Sequence, residues 1–257
     1  MINLRFTGTG SLGTFRCRNK LSKDYRRFPS LLIDEKIVID PSEDIFEFEE
    51  SFMLSGITSG IGDVLITHSH LGHFSINAIE RLAKKRTLRV YAHPTLFESL
   101  RGIGGISLVP LSEFTPVRVA DYDIIPCPSN HRTDTPGEVA FNFYINREKS
   151  FFYGLDGGWL RADTFEVLRH APCSAFVLDC HEGDSGIGPG CVYHNSFSTA
   201  MTIRELLISS GAAVEGCKFI LSHLPSQKKI SVHEALTELT REMPDVKVAY
   251  DGYYLGL

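Results

Sequence analysis

The sequence has no long apolar run and no signal-like start. No uninterrupted apolar stretch in its 257 residues approaches the roughly 18 residues that a membrane-spanning helix needs. The first residues, MINLRF, lack both the basic segment and the apolar segment of a secretory signal. These absences argue against a membrane partner and predict a cytoplasmic protein.

Paired cysteines and excess positive charge are also missing. The six cysteines, at 17, 127, 173, 180, 191 and 217, include no CxxC pair, and apolar runs such as CKFIL at 217–221 are typical of buried, reduced thiols. The net charge of -5 argues against general nucleic-acid binding, which needs clustered positive charge to neutralise phosphates. A small anionic substrate is compatible with this balance, and a homodimer is left open.

Short β-rich runs alternate with amphipathic helical runs, which predicts an α/β protein. Hydrophobic residues make up 43% of the chain, enough for the core of one large domain or two small ones. The predicted strands cover 31–34, 36–40, 89–92, 122–125, 139–146, 150–154, 175–179, 218–222, 246–250 and 253–255. The predicted helices cover 76–85, 162–169, 198–209 and 232–242.

A histidine-rich loop is the strongest chemical signal. In the segment THSHLGH, at 67–73, His68, His70 and His73 directly follow the apolar run DVLI at 63–66. The three positions do not share one helical face, but a strand that ends in a tight loop can turn three imidazoles toward one point. Neutral imidazole is the commonest metal ligand, so the pattern predicts a metal site. The alternative, a histidine-rich surface turn, leaves the apolar strand before it unexplained.

Further candidates stand where predicted strands end. His131, Asp156 and His223 each follow an apolar run. Alone, such a histidine is usually a hydrogen-bonded structural residue, and such an aspartate a turn former. Asp40 follows Ile37–Ile39 and is either a carboxylate that orients a ligand histidine or a plain turn residue.

The loop at 67–73 resembles the HxHxDH signature of the metallo-β-lactamase superfamily, with Gly72 where that signature has aspartate. The resemblance implies a single domain over 1–257, an αββα sandwich of two mixed β-sheets flanked by helices. It also implies one or two divalent ions, zinc first and manganese or iron as alternatives. The implied ligands are His68, His70 and His131 for the first ion, His73 and His223 for the second, and Asp156 as the bridge.

Gly72 changes what this resemblance implies for the second ion. Without the aspartate, that ion has only three protein ligands, so we expect weaker binding than at the first site. Restoring the carboxylate with Gly72→Asp is expected to tighten it. Asp134, Asp179 or His181 are neighbours that could substitute.

Two later segments resemble the phosphoribosyl cyclic phosphodiesterase branch. They are VLDC at 177–180 and HNSFSTA at 194–200, and in that branch a histidine of the second segment contacts substrate phosphate. His194 is therefore a candidate catalytic residue, against the alternative of a histidine near a helix cap. Arg16 and Arg18, in the basic stretch at 16–27, are candidate phosphate contacts or members of a solvated loop.

The predicted function is hydrolysis of a small phosphodiester, with cyclic phosphodiesters among the candidates, by a metal-bound hydroxide. A lactone or thioester hydrolase of the same fold is one alternative. A metal-binding regulatory protein, with its catalytic centre degraded at Gly72, is the other.

Overall fold

The first of two seven-stranded sheets is mixed. The computed structural model describes residues 1–11, 17–225 and 232–257. The strands of this sheet are β1 (Asn3–Gly8), β2 (Ser30–Ile33), β3 (Ile37–Ile39), β4 (Asp63–Leu65), β5 (Leu88–Ala92), β6 (Ile106–Pro110) and β14 (Tyr254–Gly256). Their spatial order is β14-β1-β2-β3-β4-β5-β6. Pairing is antiparallel from β14 to β3 and parallel from β3 to β6.

The second sheet repeats this plan. Its strands are β7 (Val117–Val119), β8 (Tyr122–Pro128), β9 (Phe141–Asn146), β10 (Ser150–Gly154), β11 (Cys173–Asp179), β12 (Ala213–Ser222) and β13 (Val246–Val248). They lie in the order β13-β12-β11-β10-β9-β8-β7. Pairing is antiparallel from β7 to β10 and parallel from β10 to β13.

Six α-helices and three short 3₁₀ turns are found among the described residues. The helices are α1 (Asp44–Ser51), α2 (Ile76–Ala83), α3 (Phe97–Leu100), α4 (Ala162–His170), α5 (Phe197–Ser209) and α6 (Val232–Leu239). The 3₁₀ turns are Ile57–Gly60, Pro94–Leu96 and Pro189–Val192. Ser196 caps α5 by accepting from Thr199 N, as Ser75 caps α2 by accepting from Ala78 N. None of these helices is long and apolar enough to cross a membrane.

The two sheets face each other across an apolar core. Strand side chains alternate between faces, and in β10 Phe151 and Tyr153 join the core between the sheets whereas Phe152 packs in the outer layer. That outer layer includes Ile203 of α5. A matching layer covers the other sheet and includes Ile79 of α2. The αββα sandwich predicted from the sequence is therefore confirmed.

The predicted elements differ from the observed ones mainly at edges. Strand β12 begins at Ala213, five residues before the predicted strand, and α6 ends at Leu239. Strands β6 and β7 and helices α1 and α3 were not predicted. Both strands lie at sheet edges, and β6 is largely half-buried, so the apolar signal of a central strand is weak there.

Candidate metal centre

The loop after β4 is folded onto a buried carboxylate. Asp40 accepts hydrogen bonds from Thr67 N at 2.8 Å and from Thr67 Oγ1 at 2.6 Å. Asp40 Oδ2 also lies 2.8 Å from His73 Nδ1. The loop then turns tightly, because His73 N donates to His70 O at 3.0 Å and Gly72 has a φ of 102°. Asp40 thus lies against a histidine of the loop, as the first of the two interpretations from the sequence requires.

This network sets the tautomer of His68. Thr67 Oγ1 donates its hydrogen bond to Asp40, so it accepts one from His68 Nδ1, which lies 2.9 Å away. His68 Nε2 therefore carries the free lone pair. That atom is buried and has no hydrogen-bond partner. Buried polar atoms are rarely left unpaired, and a metal ion satisfies such a nitrogen.

His68, His70 and His131 converge into what we call the histidine set. Their ligand atoms all lie within 4.8 Å of one another, and His131 Nε2 is 2.9 Å from His70 Nδ1. His131 comes from the segment after β8, where its backbone N–H donates to Ser129 Oγ. Burial lowers the pKa of His131 to about 4, so its imidazole is neutral at pH 7 and its lone pair is free to bind an ion.

Asp156 lies at the middle of the site. It follows β10 with a φ of 49°. Its Oδ2 is 2.6 Å from His73 Nε2 and 3.4 Å from His223 Nε2, and its Oδ1 is 3.8 Å from His131 Nε2 and 3.7 Å from His194 Nδ1. Although Oδ2 is close to two ring nitrogens, neither contact has hydrogen-bond geometry, so this buried oxygen has no hydrogen-bond partner. Burial alone would raise the pKa of Asp156, but His223 and His73 outweigh it and hold the pKa well below its usual range.

His73 lies between two carboxylates. Its Nδ1 faces Asp40 and its Nε2 faces Asp156, at 2.8 and 2.6 Å. Burial would lower the pKa of His73, yet Asp156 and Asp40 together raise it to about 10. Without a metal, His73 is therefore a protonated link between these two acids.

Asp179 organises the opposite side of the site. This carboxylate, at the end of β11, is fully buried. Its Oδ2 accepts from Asp156 N at 3.1 Å and from the Nδ1 atoms of His194 and His223 at 3.0 Å each. Its Oδ1 accepts from His181 N at 2.9 Å and from Asn195 N at 3.0 Å. The sequence suggested Asp179 only as a substitute ligand, although its position after an apolar strand is the same signal that identified Asp156.

Four groups of side chains in the described part of the chain bring ligand atoms within 4.8 Å of one another. The groups are His68 with His70 and His131; His68 with His73 and Asp156; His181 with His194 and His223; and Asp156 with Asp179, His194 and His223. The six predicted ligands thus come together around Asp156. No group contains both His73 and His223, the predicted pair for the second ion. The assignment of each residue to an ion stays a prediction.

Gly72 and Phe28 exclude a side chain at position 72. A Cβ atom added to Gly72 would lie 2.6 Å from Phe28 Cδ1 and 3.1 Å from Phe28 Cε1. The φ of 102° is also strained for any residue with a side chain. The expectation that Gly72→Asp tightens a metal ion stays a prediction, and it requires the Phe28 ring or the loop backbone to move.

The roles of the remaining predicted residues, His194, Arg16 and Arg18, stay predictions. His194 stacks on His181 with ring centroids 4.1 Å apart, two residues before the Ser196 cap, so the structure keeps both interpretations of His194 open. Arg18 is exposed, and Arg16 lies outside the described residues. Sequence reasoning did not single out Arg132, which is exposed and directly follows His131.

The beta-lactamase superfamily domain matches residues 35–207, more than half of the chain, and the chain belongs to this family. YhfI from Bacillus subtilis, a metallo-beta-lactamase fold protein, is similar in structure, with a TM-score of 0.75 at 13% identity and full coverage of both chains. Zn(2+)-bound PqqB from Methylobacterium extorquens has a TM-score of 0.74 at 14% identity, covering 99% of this chain and 100% of PqqB. Igni18, a metallo hydrolase from Ignicoccus hospitalis, has a TM-score of 0.64 at 15% identity, covering 99% and 97%. No curated protein matches the sequence.

Proposed function

We propose that this protein is a metal-dependent hydrolase whose first ion is bound by the histidine set. The observation that carries the proposal is the convergence of His68, His70 and His131 beside the carboxylate of Asp156. Catalytic zinc sites have three protein ligands and leave a further position for water or substrate. Membership of the beta-lactamase superfamily and the likeness to a metallo hydrolase support the same class.

The side chains around the histidine set suit hydrolysis. A divalent ion in such a site lowers the pKa of a bound water to about 7 and so supplies a nucleophile at neutral pH. Asp156 is held ionised, and its Oδ1, which lies 3.8 Å from His131 Nε2, would accept a hydrogen bond from a water molecule at the ion. His73, which also faces Asp40, lies 2.6 Å from Asp156 Oδ2, so the other oxygen, Oδ1, is the one free to accept this hydrogen bond.

The proposed substrate is a small phosphodiester. Arg132, exposed next to His131, is a guanidinium suited to a phosphate oxygen. Large exposed apolar side chains also adjoin the histidine set: Leu71 lies within the loop, and the carbonyl of Tyr193 is 3.5 Å from His131 Nδ1. Such surfaces suit an aromatic or other organic substituent of the ester. The resemblance to the phosphoribosyl cyclic phosphodiesterase branch supports the same substrate class.

The test compares two substrates on one zinc-loaded preparation. Hydrolysis of bis(p-nitrophenyl) phosphate is measured beside hydrolysis of an aryl lactone. The bound metal per chain is measured by inductively coupled plasma mass spectrometry. His70→Ala should lose the first ion and the phosphodiesterase activity together. His170→Ala, which removes an exposed histidine of α4, should keep both.

Each other outcome identifies a rival. Faster turnover of the lactone than of the phosphodiester would favour the lactonase alternative. Stoichiometric metal without turnover of either substrate would favour the regulatory alternative. Unchanged metal content in His70→Ala would contradict the histidine set itself.

A further inference from the structure

We propose that a second metal ion is bound by Asp156, Asp179, His194 and His223, with Asp179 supplying the carboxylate that position 72 lacks. We call these four residues the acidic pocket. This inference rests on the proposed function, because it concerns a second ion of a metal-dependent hydrolase. It differs from the site implied by the family resemblance, which uses His73 in place of Asp179 and His194.

The spacing of the acidic pocket lies within a few tenths of an ångström of the spacing expected for the ligands of one ion. Two ligands held about 2.0–2.2 Å from a tetrahedral ion stand about 3.3–3.6 Å apart. His194 Nδ1 lies 3.0 Å from Asp179 Oδ2 and 3.7 Å from Asp156 Oδ1. His223 can offer only one ring nitrogen to this ion, and its Nδ1 lies 3.0 Å from Asp179 Oδ2, whereas the opposite nitrogen, Nε2, lies 3.4 Å from Asp156 Oδ2. All four residues offer ligand atoms within 4.8 Å of one another.

Charge and burial favour a cation at the same place. Asp156 and Asp179 are both buried, and two adjacent buried carboxylates are costly without a compensating positive charge. Neighbouring histidines supply that charge in the metal-free chain, and a divalent ion would supply it once His194 and His223 bind as neutral imidazoles. Two imidazoles and two carboxylates form a mixed nitrogen and oxygen set that suits zinc or manganese.

The family position is less suited to the second ion in this chain. Phe28 fills the space beside Gly72, so no carboxylate can enter from the loop. Both nitrogens of His73 already face carboxylates, and its 2.6 Å distance to Asp156 falls further below the expected ligand separation than the 3.0 Å contacts of the acidic pocket do. His73 is therefore a positioning residue for Asp156 in this proposal.

The proposal changes the role predicted for His194. In the metal-free arrangement its Nδ1 carries the proton and donates a hydrogen bond to Asp179, because an ionised carboxylate only accepts. Binding an ion through Nδ1 moves that proton to Nε2 and leaves the imidazole neutral. This tautomer change is a signature that a residue contacting only phosphate would not show.

The experiment compares matched histidine variants by metal count. Each protein is stripped with chelator, reloaded with zinc and desalted, and zinc per chain is measured while circular dichroism checks the fold. Wild type and the exposed control His170→Ala should bind two zinc ions. His194→Ala should bind one, whereas His73→Ala, or His73→Gln if the alanine variant does not fold, should bind two. Nitrogen-15 NMR of zinc-loaded wild type should show His194 protonated at Nε2.

The opposite results would overturn the proposal. One zinc in the His73 variant with two in His194→Ala would place the second ion at the family position. Two zinc ions in His194→Ala with reduced phosphodiesterase turnover would make His194 the phosphate contact predicted from the sequence. A single zinc in wild type would reject the acidic pocket but leave the hydrolase proposal intact, and no zinc would reject both.

Discussion

The histidine set and the acidic pocket are two halves of one centre, built in different ways. His68 and His70 come from one loop of seven residues, 67–73, whose fold is fixed locally by Asp40 and Thr67. The pocket is instead assembled across three neighbouring parallel strands, β10, β11 and β12. The difference shows that one chain can carry a ligand group that is visible as a motif beside another that exists only in three dimensions.

The two halves also differ in charge. The histidine set offers imidazoles alone, and burial lowers the pKa of both His68 and His131. The acidic pocket contains two buried carboxylates, and its histidines hold the pKa of Asp179 below the usual range although burial opposes this. We therefore expect the pocket to accept harder ions such as manganese more readily than the histidine set does.

Asp156 is where the two halves meet, so its loss should have the largest effect. Loss of a residue that only hydrogen-bonds to a metal ligand lowers activity by about 10–100-fold. Asp156→Asn should lower phosphodiesterase activity by more than this and should weaken the binding of both ions. Metal content and turnover check this prediction. Asp63→Asn is a control that removes another buried carboxylate, one that pairs with Arg89 outside the centre, and it should keep both ions. Retention of either ion at full affinity in Asp156→Asn would show that the halves are independent.

Replacing Asp179 and Asp40 one at a time tests whether the second ion is bound in the acidic pocket or at the family position. Asp179→Asn should weaken the more weakly held zinc ion by at least about 10–100-fold, because the pocket loses a charged ligand. Asp40→Asn should change the affinity for that ion less, because Asp40 reaches it only through His73. Competition with a chelator measures both affinities. The reverse order would support the family position for the second ion.

A substitution at Gly72 tests whether backbone strain and the Phe28 ring keep a carboxylate out of position 72. We expect Gly72→Asp to lower the free energy of unfolding by about 2–4 kcal/mol, since it adds backbone strain and a clash with Phe28. Urea unfolding measures this change. Adding Phe28→Ala should recover the part due to the clash but not the part due to the positive φ. If Gly72→Asp alone is stable and binds zinc more tightly, the loop can rearrange and the original expectation stands.

In the metal-free protein, acidification should change the stability contributions of His131, in the histidine set, and His194, in the acidic pocket, in opposite directions. The pKa of His131 is lowered to about 4, so between the unfolded value and pH 4 the unfolded chain binds more protons, and stability falls as pH falls. Burial opposes a charge on His194, but Asp179 outweighs it and raises the pKa, so its stabilisation is present at low pH and is lost as pH rises through the folded pKa.

Chelator-treated protein unfolded by urea at pH 7.5 and pH 5 provides the measurement. His131→Asn should reduce the loss of stability on acidification by about 1–3 kcal/mol. His194→Asn should instead increase that loss, because a group stabilised by protonation is removed. Equal slopes in wild type and His131→Asn would show that His131 is readily protonated in the folded protein.

Much of the architecture could be read from the chain itself. Apolar runs such as 150–154 mark central strands because their residues are buried on both faces, and Ser196 marks the start of α5 because its side chain satisfies a free backbone N–H. The loop at 67–73 was recognisable because its histidines are close in sequence. The single domain over 1–257, the cytoplasmic location and the homodimer left open stay predictions.

Only the tertiary structure decided how the second half of the centre is built. Asp156, Asp179 and His223 are separated by dozens of residues, and their proximity follows from the parallel register in which Gly154 pairs with Leu178 and Asp179 with Ser222. The obstruction at Gly72 is likewise invisible in the motif, because Phe28 lies far from it in sequence. Residue type and local spacing determine which side chains can bind a metal, whereas sheet order and packing determine which of them meet.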